Sequence, residues 1–149
     1  MPFEAKKVAL VVPPPASADV PRMLASWSWL VGGRFRPIAI NRFGDWFLER
    51  PDGSVEQLGI HDGELMTVAP TVTAWKSWLA TDDAMAANWD WLVLRLHDLG
   101  KVLGPDQVFG FKVPPLLGGT LTVDNVGIYP IATMMALLSP LGERAHGGR

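Results

Sequence analysis

Residues 36–68 read RPIAINRFGDWFLERPDGSVEQLGIHDGELMTV, a run in which short apolar segments alternate with turn signals. Two Asp-Gly pairs, Asp52-Gly53 and Asp62-Gly63, separate segments rich in aromatic and branched residues. Asp-Gly between such segments is a strong signal for a tight turn that joins two antiparallel strands. The pattern predicts an antiparallel meander with strands at Arg36–Ile40, Asp45–Glu49, Val55–Ile60 and Glu64–Val68.

Helical spacing of apolar residues flanks this run on both sides. The predicted helices cover residues 19–31, with Asp19 as the cap, residues 71–79, residues 81–99 and residues 130–141. Further strands are predicted at Gln107–Val113 and Thr120–Val123, with a continuation at Val126–Tyr129. Strand runs beside helix runs are typical of an α+β protein. We therefore expect an antiparallel sheet of about five to seven strands with helices packed on it.

Composition excludes several classes of site. The chain has 149 residues, which favours one domain, and a formal net charge of −2, which argues against a broad basic surface for nucleic acid. There is no cysteine, so disulfides, thiolate metal ligands and cysteine nucleophiles are excluded. No apolar run approaches the roughly 18 residues of a membrane span.

The N-terminus resembles a secretory signal only faintly. Its apolar run, Val8–Val12, has five residues and is broken by Pro13-Pro14-Pro15. A functional signal carries about 7–15 apolar residues at that point. With the lack of cysteine, this favours a protein of the reducing cytoplasm.

The candidate chemistry is sparse. His61, Asp62 and Glu64 bring an imidazole and two carboxylates together, which suits a metal site or acid/base work. The same residues also suit a surface turn, because Asp62-Gly63 is itself a turn signal. No nucleophile elbow, phosphate loop, zinc-protease or dinucleotide motif occurs, so we do not expect an enzyme, a cofactor or a metal.

Aromatic residues crowd two consecutive predicted helices. They are Trp75, Trp78, Trp89 and Trp91. Aromatics among basic residues would suggest nucleic acid, but the neighbours here include Asp82, Asp83 and Asp90. Core packing and a protein-binding patch both remain open for this group.

Several motifs recur in a known family in the order found here. They are FGDWF at 43–47, Asp52-Gly53, VLGPDQVFGFKVPPLLGG at 102–119 and Asp124-Asn125. From about Arg36 to Gly142 the chain resembles the C-terminal domain family of type VI secretion immunity proteins. The residues that carry the resemblance as structural positions are Phe43, Gly44, Asp45, Gly104, Pro105, Lys112, Pro114, Pro115, Gly118 and Gly119.

The resemblance implies a cytoplasmic protein that neutralises a secreted bacterial toxin, in the best-known case a DNase. It implies stoichiometric binding without turnover, and no direct contact with nucleic acid or membrane. Acidic loop residues are the candidate toxin contacts: Asp52, Glu56, Asp62, Glu64, Asp82 and Asp83.

Full-length relatives often carry a larger N-terminal domain related to the GAD fold. Residues 1–35 are accordingly predicted to be a tail and short helix that remain from such a domain. Residues 36–142 are predicted to form the immunity-type domain, and residues 143–149 a disordered tail.

Two other functions compete with toxin binding. One is a small-molecule or regulatory binding module with a Trp-lined apolar pocket between sheet and helices. The other is a hydrolase that uses the cluster of His61, Asp62 and Glu64. The segment GFKVPPLLGGTLTVDNV at 110–126 is predicted to be a shape-defining strand–loop–strand, because its prolines end a strand and its glycines permit a reversal.

Overall fold

The computed structural model describes residues 9–147 and confirms an α+β fold. A five-stranded antiparallel sheet follows chain order, with β1 (Val11–Val12), β2 (Arg36–Asn41), β3 (Trp46–Glu49), β4 (Val55–Gly59) and β5 (Glu64–Ala69). A second sheet pairs β6 (Gln107–Phe111) with β7 (Val126–Pro130). The α-helices of the described chain are α1 (Val20–Ala25), α2 (Val72–Trp78), α3 (Asp82–Ala87), α4 (Asp90–Asp98) and α5 (Ile131–Ala145).

Alternation along β3 and β4 gives the large sheet two buried faces. On one face, Trp46 lies opposite Leu58 and packs with residues of α1 and α5. On the other face, Phe47 and Val55 pack with Trp75 of α2. The large sheet is therefore covered by helices on both sides, which explains why β3 is apolar at consecutive positions.

A third cluster joins α4 to the small sheet and to the turn between β2 and β3. Its buried members are Phe43, Leu92, Val93, Leu96, Phe109 and Phe111. The backbone N–H of Phe109 also donates to the carbonyl of Arg42 at 2.9 Å. The small sheet is thus fixed against the β2–β3 turn by packing and by a backbone hydrogen bond.

Two helix predictions are wrong in extent. The first helix ends at Ala25, and turns then carry Trp27 and Val31 into the core. The helix predicted over residues 81–99 is broken at Trp89, whose φ of 61° is left-handed. A bulky residue rarely adopts that conformation, so tertiary contacts must hold it. The neighbouring Asn88 supplies one such contact: its Oδ1 accepts a hydrogen bond from Nδ2 of Asn41, the last residue of β2, at 2.8 Å.

The segment 110–126 connects β6 to β7 through two short 3₁₀ turns, Pro115–Leu117 and Val123–Asn125. The strand predicted at Thr120–Val123 is therefore wrong. Asn125 organises the loop instead: its Oδ1 accepts from the Val113 N–H, and its Nδ2 donates to the carbonyls of Val113 and Thr120, all at 2.9 Å. These side-chain bonds replace the ladder that a strand would have formed.

The last helix is longer than predicted and runs to Ala145, so residues 143–145 are helical and differ from the expected disordered tail. The imidazole of His146 follows, with Nε2 2.5 Å from the carbonyl oxygen of Gly63. Residues 148–149 of that tail, and residues 1–8 of the predicted N-terminal segment, lie outside the described residues. The domain boundaries predicted at residues 35 and 142 stay a prediction. The Trp27 indole N–H, before the first boundary, donates to the Met135 carbonyl of α5, after it, at 3.1 Å.

Candidate binding cleft

The cleft is built on the turn between β2 and β3, where Asn41 organises the backbone. Its Oδ1 accepts from the N–H groups of Phe43 and Asp45, each at 3.0 Å. Its Nδ2 donates to Asp45 Oδ2 at 3.2 Å and to Asn88 Oδ1 at 2.8 Å. Gly44 completes the turn with a left-handed φ of 86°. The turn thereby holds the Asp45 carboxylate at a fixed, buried position.

Asp45 is a buried carboxylate with several donors around it. The backbone N–H of Ile60 donates to Asp45 Oδ1 at 2.9 Å. Burial raises the pKa of Asp45 to about 6, and the Ile60 bond opposes the rise, as do the side chains of Asn41, Gln57 and Trp89. The carboxylate is therefore mainly ionised at pH 7 and becomes protonated in mild acid.

His61 is also buried, with 4% of its surface exposed. Its Nε2 lies 2.6 Å from the Phe43 carbonyl oxygen. Burial lowers the pKa of His61 to about 4, while the hydrogen bond to Phe43 and the negative charge of Asp62 oppose this decrease. The ring is therefore neutral at pH 7, with Nε2–H as the donor. Nδ1 is then an acceptor, and it has no hydrogen-bond partner. The imidazole considered for acid/base work is thus held as a buried neutral acceptor.

A cleft of about 260 Å³ opens beside these groups, between the end of β4, the following turn and the last turn of α3. Its walls include Gln57, Gly59, His61, Asp62, Ala87 and Trp89. Gln57 is 5% exposed, and its Nε2 faces the Ala87 carbonyl oxygen at 3.4 Å while Oε1 has no partner. Sequence analysis considered a Trp-lined apolar pocket between sheet and helices. The cleft observed beside Trp89 instead has buried polar residues, Asp45, Gln57 and His61, among its lining.

Two acidic residues stand at the mouth of this cleft. Asp62 Oδ1 accepts from the Glu64 N–H at 3.0 Å, which closes the turn, and both side chains reach solvent. Partial burial and then the negative charge of Asp45 raise the pKa of Asp62. A Cβ at Gly59 would lie 2.5 Å from Asp62 Oδ1, so a side chain there would require the carboxylate to move.

The remaining acidic candidates divide between two places. Asp82 and Asp83 are exposed in the first turn of α3, one helical turn before the alanines that line the cleft. Asp52 lies in the β3–β4 turn, at the opposite end of β4 from the cleft. Glu56, on β4, accepts from Arg50 Nε at 2.6 Å and is only partly exposed. The structure therefore brings Asp62 and Glu64 together at the cleft, places Asp82 and Asp83 at the start of the helix whose last turn lines it, and leaves Asp52 and Glu56 apart.

The family-motif residues lie in turns and strand ends. Gly44 and Gly118 have left-handed φ values, and a Cβ at Gly119 would overlap the Val113 carbonyl oxygen. Gly104 N–H donates to Gln107 Oε1 at 2.7 Å at the start of β6. These contacts shape the backbone at the turns.

Three polar residues that build the cleft were missed by sequence reasoning: Asn41, Gln57 and Asn88. Gln57 lies in a predicted strand, Asn41 directly after one and Asn88 in a predicted helix, where a polar residue is ordinarily solvent-facing. The sequence did hold one signal for Gln57. Residues two apart on a strand face the same side, so Gln57 shares the inward side of Val55, where a polar residue is unusual. Among residues 9–147, no group of three or more His, Asp or Glu side chains is placed to hold a metal ion.

None of the helices within the described range is long and apolar enough to cross a membrane.

Comparison with known proteins places part of the chain in a family. Residues 69–142 match the family model described as "T6SS immunity protein Tdi1, C-terminal". The match covers α2 to most of α5 and begins after the FGDWF motif and the first Asp-Gly turn, both of which lay inside the resemblance seen in the sequence. A search of curated proteins found no match.

Among solved structures, the chain is similar to one titled "Crystal structure of Atu4351 from Agrobacterium tumefaciens". The TM-score is 0.55 at 16% sequence identity, over 80% of this chain and 63% of the other. At that identity the likeness shows a shared fold alone, and the chain spans less than two thirds of the Agrobacterium protein.

Proposed function

Because residues 69–142 belong to the type VI secretion immunity family, we propose that this protein neutralises a cognate toxin by binding it stoichiometrically. The family match is the observation that carries the proposal. Binding that covers the toxin's working surface needs no turnover, so a complex with one copy of each protein is sufficient. We place this action in the bacterial cytoplasm, where a toxin that attacks nucleic acid would find its substrate.

The toxin class we propose is a nuclease. A nuclease must carry positive charge where it meets the phosphate backbone. An acidic surface is complementary to such a charge and also steers association at low salt. The cleft mouth offers such a surface, with Asp62, Glu64 and the exposed Met66 among the lining residues, and the start of α3 adds Asp82 and Asp83.

The proposed contact surface is therefore the side of the protein that carries the cleft. Met66 is 55% exposed on β5, an edge strand, and gives the acidic surface an apolar centre. A few apolar anchors inside a polar rim are typical of protein interfaces. Asp52 and Glu56 would contact the toxin only if the partner also reached the far end of β4.

Titration of a nuclease toxin that co-purifies with the tagged protein tests the proposal. Purified protein is added in steps to purified toxin, and residual nuclease activity is measured against the molar ratio. We expect activity to fall linearly and vanish near one equivalent. Unchanged activity at excess protein would contradict antagonism, and full inhibition far below one equivalent would indicate turnover in place of binding.

A pair of charge variants locates the surface. Asp62→Asn combined with Glu64→Gln should weaken toxin affinity about tenfold at low salt, with a smaller loss at high salt, because exposed charges are screened. Asp52→Asn is the matched control, since it removes one exposed carboxylate from the other Asp-Gly turn. Equal losses in the two proteins would mean that the contact surface is not the one around the cleft.

A further inference from the structure

The cleft beside Trp89 contains buried polar atoms that the protein leaves without partners. They are His61 Nδ1 and Gln57 Oε1, and both residues line the cleft. An unpaired buried polar atom has given up its hydrogen bonds to water without replacement, which is why native proteins rarely keep one. Two in the same small cleft indicate a place where a ligand supplies the missing hydrogen bonds.

Both atoms are acceptors. The His61 Nε2 proton faces the Phe43 carbonyl oxygen, so the other ring nitrogen presents a lone pair. The Gln57 amide is oriented by the Ala87 carbonyl, because the opposite orientation would place two oxygens against each other at 3.4 Å. The ligand atoms that enter the cleft must therefore be hydrogen-bond donors.

The charges around the cleft have one sign. Asp45 lies at the floor and Asp62 and Glu64 at the mouth, and no lysine or arginine is among the lining residues. Burial and then the negative charge of Asp45 raise the pKa of Asp62, so the two carboxylates act on each other as like charges. An anion would be repelled, whereas a cation would gain from all three carboxylates.

The shape of one wall favours a planar cation. Trp89 lines the cleft from the break between α3 and α4, held there in a left-handed conformation that costs free energy. A guanidinium group stacks on aromatic faces and presents five donors in a plane, while an ammonium group is more strongly hydrated and has three.

We propose that this cleft is a binding site for a guanidinium group, which donates to Gln57 Oε1 and His61 Nδ1 and is balanced by Asp45, Asp62 and Glu64. The group comes either from an arginine side chain of the toxin or from a free small molecule. The first source rests on the proposed function, and the second does not.

A titration with n-butylguanidinium chloride tests the site directly. Side-chain signals of Gln57 and the indole N–H of Trp89 are followed by ¹H–¹⁵N NMR at constant ionic strength. We expect both to shift saturably. Neutral n-butylurea, which has nearly the same shape, should shift them weakly and without saturation. No saturable shift with the cation, or equal shifts with the urea, would overturn the proposal.

Two turn variants sharpen the same titration. Asp62→Asn keeps the oxygen that accepts from the Glu64 N–H but removes the charge, and should weaken n-butylguanidinium binding at least threefold. Asp52→Asn makes the same change in the other Asp-Gly turn and should leave binding unchanged. Equal weakening in both variants would contradict the site, because a general loss of negative charge would then explain the binding.

Competition distinguishes the two sources of the guanidinium group. If a toxin arginine fills the cleft, saturating n-butylguanidinium should weaken toxin affinity, and n-butylurea should not. If toxin affinity is unchanged while the cation still binds, the site serves a free ligand. Cation binding by a protein that fails to inhibit the toxin would overturn the immunity function alone, and inhibition without cation binding would overturn the site alone.

Discussion

The two Asp-Gly turns at the ends of β4 have nearly the same local structure and very different surroundings. In each turn the glycine is left-handed, with φ of 91° at Gly53 and 70° at Gly63. In each, the aspartate Oδ1 accepts from the N–H two residues later, at 2.9 Å for Asp52 and 3.0 Å for Asp62. The turns differ locally in one backbone bond: the Gly53 N–H donates to Arg50, three residues earlier, and the Gly63 N–H to Gly59, four residues earlier.

Their electrostatic environments have opposite effects. Hydrogen bonds from the side chain and backbone of Ser54 lower the pKa of Asp52. Partial burial and the neighbouring Asp45 raise the pKa of Asp62. The first turn is solvated, whereas the second stands over buried polar groups and is also contacted by His146 from the end of α5. The comparison teaches that a turn motif fixes a backbone shape, while the groups packed beneath it decide what its side chain can do.

The largest expected effect comes from removing the packing beneath the second turn. Phe43 is fully buried and contacts the rings of His61, Trp89 and Phe111. Phe43→Ala should lower the free energy of unfolding by about 3–5 kcal/mol, as measured by urea denaturation, because it leaves a cavity among four rings.

The control lies near the first turn, where Phe35 is half-buried with the Arg50 guanidinium 5.9 Å from its ring centre. Phe35→Ala should cost clearly less, because the ring loses less burial. Similar losses in both variants would show that the two turns are supported alike.

The next effect concerns pH. The pKa of His61 is about 4 in the folded protein and about 6.5 when unfolded, so this residue binds more protons in the unfolded chain between these values, and its contribution to stability falls as pH falls from 7 to 4. His61→Gln retains a donor for the Phe43 carbonyl and cannot become charged. Its stability relative to the wild type should therefore rise by about 3 kcal/mol over that range, measured from urea midpoints at pH 7, 5.5 and 4.

A variant of opposite sign checks this result. The folded pKa of Asp45 is about 6 and its ordinary value is 3.8, so the folded protein binds more protons between them and gains stability as pH falls. Asp45→Asn removes that gain, and its stability relative to the wild type should fall by about 3 kcal/mol between pH 7 and 4. Differences that do not vary with pH in either variant would mean that neither group titrates abnormally.

The smallest effect is the titration of the two turn aspartates themselves. Carboxyl ¹³C shifts followed by NMR should give Asp52 a pKa below the ordinary value of about 3.9 and Asp62 a pKa above it. In His61→Gln the Asp52 value should stay unchanged, since that residue lies at the other end of β4. Identical titrations of the two aspartates would remove the electrostatic half of the comparison.

The sequence predicted what depends on neighbours along the chain. Asp-Gly turns, strand alternation and helix caps are local, and at the starts of α2 and α3 Thr71 and Thr81 each accept from the N–H three residues later. The helix break at Trp89 was not predictable in this way, because it depends on Asn88 meeting Asn41, which is 47 positions away.

The cleft was predictable only in part, for the same reason. Asp62 and Glu64 were found because they flank a turn, which is a local feature. Gln57 lies on a strand that reads as an ordinary half-exposed segment until α3 covers it. Its role depends on which helix packs over that face of the sheet, and helix packing is a long-range property.

The hydrophobic clusters combine residues from both halves of the chain, which limits the exchange of one half without the other. Residues 69–142 hold Trp75, but the partners Phe47 and Val55 come from earlier strands. In the same way, Met135 of α5 accepts the Trp27 and Trp46 indoles. The family segment is thus a stretch of sequence and not an interchangeable module. A chimaera that exchanged it between relatives would therefore also need the matching sheet.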